Sequence, residues 1–359
     1  MNNHTKYLLA FQKLGIGYQT LQKLLTHFTN IEELWRASES QLRTTAVSQE
    51  FIEKFMRRCH TIRPDQLLDD VQIPGIQIIS VVDSRYPVLL RETHSPPLVL
   101  FVRGSIDSLF TKCLTVVGTR KPTSYGRSAT HALIRPIAQD GVTIVSGLAY
   151  GIDTEAHEAA LAAGGQTIAV LGSGVDMVYP RQNEELAERI LARRGALISE
   201  YPPGTEPQKH FFPQRNRIMA GLSPATVIIE AGKKSGALIT ARLALDENRE
   251  VFAVPGPITS DASIGPNTLL SQGATVVRYA QDLHQSLGLD IYGAVQKNDQ
   301  IRAGSPTEEK LLALLTEPRH VDELVAISHL SASVVNATLS VLEMKGRIRH
   351  LGGMHYVRN

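Results

Sequence analysis

A doubly wound α/β core flanked by two small helical regions is predicted by three features of this 359-residue sequence. Between residues 111 and 286, short apolar runs alternate with helical runs. Strands that are apolar throughout and separated by helices form a parallel sheet buried on both faces. Five of these strands end directly in glycine, at Gly118, Gly147, Gly172, Gly232 and Gly256. On either side of this zone, apolar residues recur at spacings of three and four, the period of a helix.

The elements follow in chain order. Residues 1–70 form an N-terminal helical domain: LLAFQKL, TLQKLLTHF, IEELWRA and EFIEKFMRRC each carry a helical apolar stripe. The first two are separated by Gly15-Ile16-Gly17, a hairpin also used by modules that bind the DNA backbone, although packing is the simpler role. Residues 71–110 read as a connector with its own strands, IQIISVV and LVLFVRG, punctuated by Pro87, Pro96 and Pro97. The core, 111–286, has the strands LTVVG, VTIVSG, TIAVLGSG, ALISE, TVIIEAG, VFAVPG and TVVRY. Between them lie helical runs such as SATHALIRPIAQ and TEAHEAALAAG. A linker is expected over 287–305. In 306–359, three helices and a glycine-turned hairpin, RIRHLGGMHYV, outline a winged helix.

Composition narrows the function classes. With 43% hydrophobic residues the chain is not predominantly disordered. Two cysteines make neither a disulfide framework nor a four-cysteine zinc site, and their scarcity fits a reducing compartment. The N-terminus lacks the pattern of a signal peptide, and no uncharged apolar run approaches the roughly 20 residues that span a bilayer. A cytoplasmic protein is expected. Lys and Arg total 37 against 35 Asp and Glu, a balance of +2 that excludes a uniformly basic surface. The cations are clustered, however. Lys112, Arg120, Lys121, Arg127 and Arg135 fall in a stretch without an acid, as do Lys209, Arg215 and Arg217, and Lys233, Lys234 and Arg242 follow soon after.

In a parallel sheet the glycine-ended strands share one edge, where open α/β folds bind ligands. Glycine lets the backbone approach a ligand, and helix N-termini aim amide donors the same way. The loops along this edge are GTRKPTSYG, SGLAYGID, GSGVDMVYP and AGKKSGALITAR. Their cations make the edge an anion-binding rim. In KHFFPQRNR, Phe211 and Phe212 stand beside Arg215, Asn216 and Arg217, a mixture suited to single-stranded nucleic acid. No G-x-G-x-x-G, P-loop or G-x-S-x-G pattern is present, so no cofactor and no hydrolytic nucleophile are expected. Asp153 reads as a helix N-cap, His157 as a structural histidine, and Glu230 as a brace for an arginine or a backbone amide. The C-terminal region has six basic and six acidic residues, including Lys345, and its candidate recognition helix, Ser331 to Lys345, is almost uncharged. Only the wing, with Arg347, Arg349, His350 and His355, suits DNA.

The ordered motifs VVGTRKPTSYG, VSGLAYGIDTEAHEAAL, IAVLGSGVDMVYPRQN, LISEYPPGTEP, FFPQRNRIMAGLS, VIIEAGKKSGALITAR and VFAVPGPITSDASIGPNTLLSQGA closely resemble the DprA/Smf family, the DNA-processing proteins of natural transformation. The resemblance covers roughly residues 110–280. It implies an extended Rossmann-like core that binds single-stranded DNA without sequence preference, usually as a homodimer. It also implies that the protein protects incoming strands, loads the RecA recombinase and performs no catalysis. The N-terminal domain resembles SAM or helix-hairpin-helix modules, and the C-terminal one a winged helix. The resemblance places DNA contacts on Gly118, Thr119 and Arg120 and on Ser146, Gly147 and Leu148; the reading of the rim loops adds Lys121, Gly172 and Gly174. The matched motifs continue with Phe212, Arg215, Asn216 and Arg217 and with Ser235, Gly236, Thr240 and Arg242, and the residues beside them, Lys209, Phe211, Lys233 and Lys234, complete the expected contacts. Arg120, Arg215 and Arg217 are expected to grip consecutive phosphates while Phe212 stacks a base. The strands from Val251 to Val277 are candidates for the dimer surface. Two other classes compete: a nucleotide-cleaving α/β enzyme using Glu230 as acid or base, and a duplex-binding regulator led by the winged helix.

Overall fold

The computed structural model describes residues 4–288, 306–344 and 347–358. It divides into two compact units, Met1–Leu289 and Asp290–Asn359. Lys345 and the segment 289–305, which holds most of the expected linker, lie outside the described residues.

The first unit opens with six helices: α1 (Thr5–Lys13), α2 (Tyr18–Leu25), α3 (Ile31–Trp35), α4 (Glu39–Arg43), α5 (Gln49–Cys59) and α6 (Pro64–Val71). Their starts are chemically specified. Asn30, Ser38 and Ser48 accept hydrogen bonds from free amides of α3, α4 and α5, and Ser38 with Gln41 completes a capping box. Phe11, Trp35 and Phe55 form an aromatic centre, with Trp35 edge-on to both phenylalanines. In the glycine hairpin, Leu14 and Ile16 are buried, so it serves packing. Gln12 fastens this bundle to the sheet: its amide nitrogen donates to Glu200 O at 2.6 Å and its oxygen accepts from Val99 N at 2.8 Å.

A nine-stranded sheet follows: β1 (Ile76–Ser80), β2 (Val99–Gly104), β3 (Cys113–Val117), β4 (Thr143–Ser146), β5 (Thr167–Val170), β6 (Ala196–Ser199), β7 (Ala225–Ile228), β8 (Glu250–Ala253) and β9 (Thr275–Val276). Its order is β1-β2-β6-β5-β4-β3-β7-β8-β9. The strands from β3 to β9 pair in parallel, and every residue of β3 to β7 is buried, which is why these segments are apolar throughout. The segment expected as a connector is part of this sheet: β2 pairs antiparallel with β6, and β1 with β2. The sheet's helices are α7 (Val88–Arg91), α8 (Ser124–Gln139), α9 (Ile152–Ala162), α10 (Glu184–Ala192), α11 (Phe211–Leu222), α12 (Gly236–Asp246), α13 (Ile264–Ser271) and α14 (Ala280–Ser286). From β3 the chain winds one way through β4, β5 and β6, returns by α11 to β7 on the other side of β3, and continues outward. This is an extended Rossmann-like arrangement with its switch point between β3 and β7.

The second unit has helices Pro306–Leu314, Val321–Ser328 and Ala332–Met344 and a small antiparallel sheet of β10 (Arg319–His320), β12 (His355–Arg358) and β11 (Ile348–Gly352). It is a winged helix, with Gly352 and Gly353 at positive φ in the wing turn as the hairpin requires. Among the described residues, no single helix is long and apolar enough to cross a membrane.

Candidate functional site

The switch point opens into a crevice of about 810 Å³, lined by the loops after β3 and β7 and by one face of α11. The β3–α8 loop is held at both ends. Thr119 N donates to Glu230 O at 2.6 Å, and Ile152 N donates back to Thr119 O at 3.1 Å. Glu230, 2% exposed, accepts from Thr123 N at 2.9 Å and from Thr123 Oγ1 at 2.5 Å, while Thr123 caps α8. Glu230 therefore braces a backbone amide, as expected, and it is not among the crevice lining. Between these anchors Arg120 and Lys121 point outward and are exposed.

The floor is a buried ion pair. Arg215 is 4% exposed. Its Nη1 donates to Gly147 O at 2.6 Å and to Val170 O, and its Nε donates to Asn216 Oδ1 at 3.1 Å. Nη2 lies 3.9 Å from Asp153 Oδ2, and Asp153 accepts from Gly147 N at 3.1 Å. Buried charges are tolerated when paired and hydrogen-bonded in this way. Burial pushes the Asp153 carboxyl above its ordinary range, opposed by Arg215. It lowers the Arg215 guanidinium to about 10, still protonated at neutral pH. The N-cap of α9 is Gly151, so Asp153 is not the cap; it sits inside the helix and reaches back to the preceding strand's end. His157 is buried and shares a 2.6 Å hydrogen bond with Thr167 Oγ1, a structural role, and burial lowers its pKa to about 3.

Two of the three arginines expected to grip phosphates already have partners within the chain. Arg215 directs its donors to carbonyls and Asn216, with a carboxylate as its counter-ion, and forms the floor. Arg217 is outside the lining: it donates to Ser95 O at 2.9 Å and pairs with Glu200, whose carboxyl burial pushes upward. Phe211 is also turned away, stacked on Tyr201 with ring centroids 3.9 Å apart. Phe212 does line the crevice, 5.5 Å from the ring of Tyr179 and backed by Gly172, where a Cβ would lie 3.1 Å from Phe212 Cδ1.

Of the remaining expected residues, Gly118, Thr119, Asn216, Ser235, Gly236 and Thr240 line the crevice. The exposed Lys209, Lys233 and Lys234 also line it. Ser235 caps α12, and Asn216 Nδ2 donates to Gly236 O at 3.4 Å, tying α11 to α12. The others lie behind or beside it. Ser146 is buried and donates to Val116 O, and Leu148 is buried at φ 55. Gly147 leaves room for the Arg215 guanidinium, and a Cβ at Gly174 would meet Pro202 O at 2.8 Å. Arg242 is exposed on α12 outside the lining. Sequence reasoning missed Tyr179 and Ile239, both in the lining and exposed. An aromatic in a loop beyond a core strand was the available signal for Tyr179.

Five exposed cations, Arg120, Lys121, Lys209, Lys233 and Lys234, thus face a crevice whose one acid, Asp153, is already paired. With the Phe212–Tyr179 rings, the arrangement can hold an anion and a flat apolar group side by side. Among the described residues, no three His, Cys, Asp or Glu side chains converge on a point.

Comparison with known proteins agrees along the chain. The model of the DNA recombination-mediator protein A family matches residues 77–288, and that of the DprA winged helix domain matches 295–354. The chain is 36% identical to Protein Smf of Synechocystis over 99% of both chains. It is 39% identical to the DNA processing protein DprA of Bacillus subtilis, over 71% of this chain and 84% of that one. The crystal structure of DprA from Streptococcus pneumoniae superposes with a TM-score of 0.69 at 35% identity, covering 79% of this chain and 98% of that one. DprA from Helicobacter pylori, described for its single-stranded DNA binding mode, gives 0.54 at 32% identity, covering 60% and 96%.

Proposed function

The chain belongs to the DNA recombination-mediator protein A family, also called DprA or Smf, and from that premise we propose that its crevice binds single-stranded DNA without sequence preference. The observation that carries the reading is the division of labour at the switch point: a self-contained ionic floor beneath a rim of unpaired exposed cations and an aromatic pair. Rim lysines and Arg120 neutralise phosphates, and a base lies against Phe212 and Tyr179. Point charges and ring faces treat all bases alike, which accounts for the lack of sequence preference. The Helicobacter relative's single-stranded DNA binding mode supports this reading.

In this reading the protein is a cytoplasmic binding protein without catalysis. It shields incoming strands during transformation and passes them to RecA. The core, 111–286, does this work, with 1–70 as an accessory domain leading into it through 71–110 and 306–359 as another joined through 287–305. A homodimer through the β9 side of the sheet is part of the proposal, supported by the free edge there and by the exposed Val276 and Tyr279. The test measures RecA's DNA-dependent ATP hydrolysis on strands already covered by single-strand-binding protein. The chain is expected to shorten the lag, and Arg120→Glu to restore it. A lag unchanged by the wild-type protein would rule out loading.

A further inference from the structure

A second concavity, of about 720 Å³, adjoins the crevice and shares Arg120 and Lys121 with it. Its far wall carries Arg127 and Tyr150, neither of which touches the crevice. Loop packing fixes this adjacency. Gly151, at φ 82, brings the β4–α9 loop so close to the β3–α8 loop that a Cβ there would lie 2.8 Å from Arg120 Cα. Only glycine allows that approach at that φ. Tyr150, the preceding residue, is thereby held on the other flank of the Arg120 loop.

Tyr150 is 41% exposed, yet its hydroxyl already donates to Gln182 Oε1 at 2.5 Å. The polar end is satisfied and the ring held in place, so what remains on offer is an aromatic face. Arg127 is exposed; its Nη2 donates to Pro122 O at 3.3 Å, and its Nη1 lies 3.7 Å from Glu155. Glu155, the acid of this concavity, is drawn toward His131 Nε2 at 2.9 Å. Three cations against one engaged carboxylate leave the concavity positive.

The crevice floor is closed by the Asp153–Arg215 pair, so a strand entering it has to leave over a rim. The rim at Arg120 and Lys121 leads directly into this second positive, aromatic-edged space. We propose that Arg120 and Lys121 form a ridge between two consecutive nucleotide sites, the second made by Tyr150 as a stacking platform and Arg127 as a phosphate contact. The inference rests on the crevice being a single-stranded DNA site and extends it. The strand runs across the ridge, so internal segments of a long or circular strand bind without a free end.

The experiment titrates labelled oligothymidylates of increasing length against the full chain and its Tyr150→Ala, Tyr150→Phe and Arg127→Gln variants, with thermal unfolding as a check on folding. Removing a stacking ring costs about five- to 150-fold in affinity. Tyr150→Ala is expected to lose an amount in that range on long oligonucleotides and nothing on the shortest that bind. Tyr150→Phe, which keeps the ring but loses the Gln182 hydrogen bond, should lose less than Tyr150→Ala, and Arg127→Gln should make the salt dependence shallower on long oligonucleotides alone. Wild-type affinity at every length in Tyr150→Ala, or an equal loss at every length, would overturn the second site while leaving the crevice reading intact. A wild-type protein that binds none of the oligonucleotides would overturn both.

Discussion

The floor and the rim of the crevice use the same residue type for opposite work. At the floor, Arg215 is surrounded by carbonyls and Asp153 and contributes to holding α11 against β4 and β5. At the rim, Arg120 stands on a loop tied down at Thr119 and Thr123 and has its charge free for a ligand. Burial and prior partners thus separate two arginines of one crevice, one engaged within the chain and one free. Floor substitutions should change stability, and rim substitutions the response of binding to salt.

The largest effect is expected from breaking the floor pair. Asp153→Ala leaves a buried guanidinium without its carboxylate and should cost about 3–5 kcal/mol in denaturant unfolding. Gly147→Ala should act in the same direction, because a Cβ there runs into the Arg215 side chain. If either variant kept wild-type stability and merely bound DNA less well, the floor would be a ligand contact after all.

The next effect is pH-dependent and belongs to the floor's second layer. His157 titrates near 6.5 when unfolded and at about 3 when folded. Between those values the unfolded chain takes up a proton that the folded chain refuses, so stability falls as pH drops. The fall is about 1.4 kcal/mol per unit, or about 2 kcal/mol at pH 5. The raised Asp153 carboxyl has the opposite sign, its contribution being present below 3.8 and lost as pH rises through its folded value. Comparing unfolding of the wild type and His157→Gln from pH 7 to pH 5 isolates the histidine. Parallel curves would contradict its buried neutral state.

A smaller effect should come from the aromatic pair. Phe212→Ala is expected to weaken single-strand binding by about 1–3 kcal/mol, measured by anisotropy. Phe211→Ala, on the Tyr201 side, should leave binding nearly unchanged. Reversal of that order would place the stacking face on the wrong side of α11.

Much of this was legible beforehand. The core strands, their glycine ends and the basic loops follow from local composition, and the crevice opens where those loops meet. The face of α11 could be read from helical spacing, since Phe212, Arg215, Asn216 and Met219 stand at three, four and seven and all line the crevice, but the expected contacts followed residue type and so included Phe211 and Arg217. What charge alone could not show was depth: Arg215 shares its stripe with Ile218 and Met219, both buried, and so sits on the floor. The pairing of β2 with β6 was hidden for another reason. It joins residues about a hundred positions apart, and the prolines between β1 and β2 read locally as a connector. Tyr179 was missed because a loop aromatic declares its neighbours only when two loops are brought together.

The most direct test of the central claim is the salt dependence of single-stranded DNA affinity in the wild type and in Arg120→Ala, with thermal unfolding measured on both. The account predicts a log–log slope shallower by about 0.7, the value of one phosphate contact on a single strand, at an unchanged unfolding midpoint. An unchanged slope, or a slope that changes only together with a lowered midpoint, would contradict it.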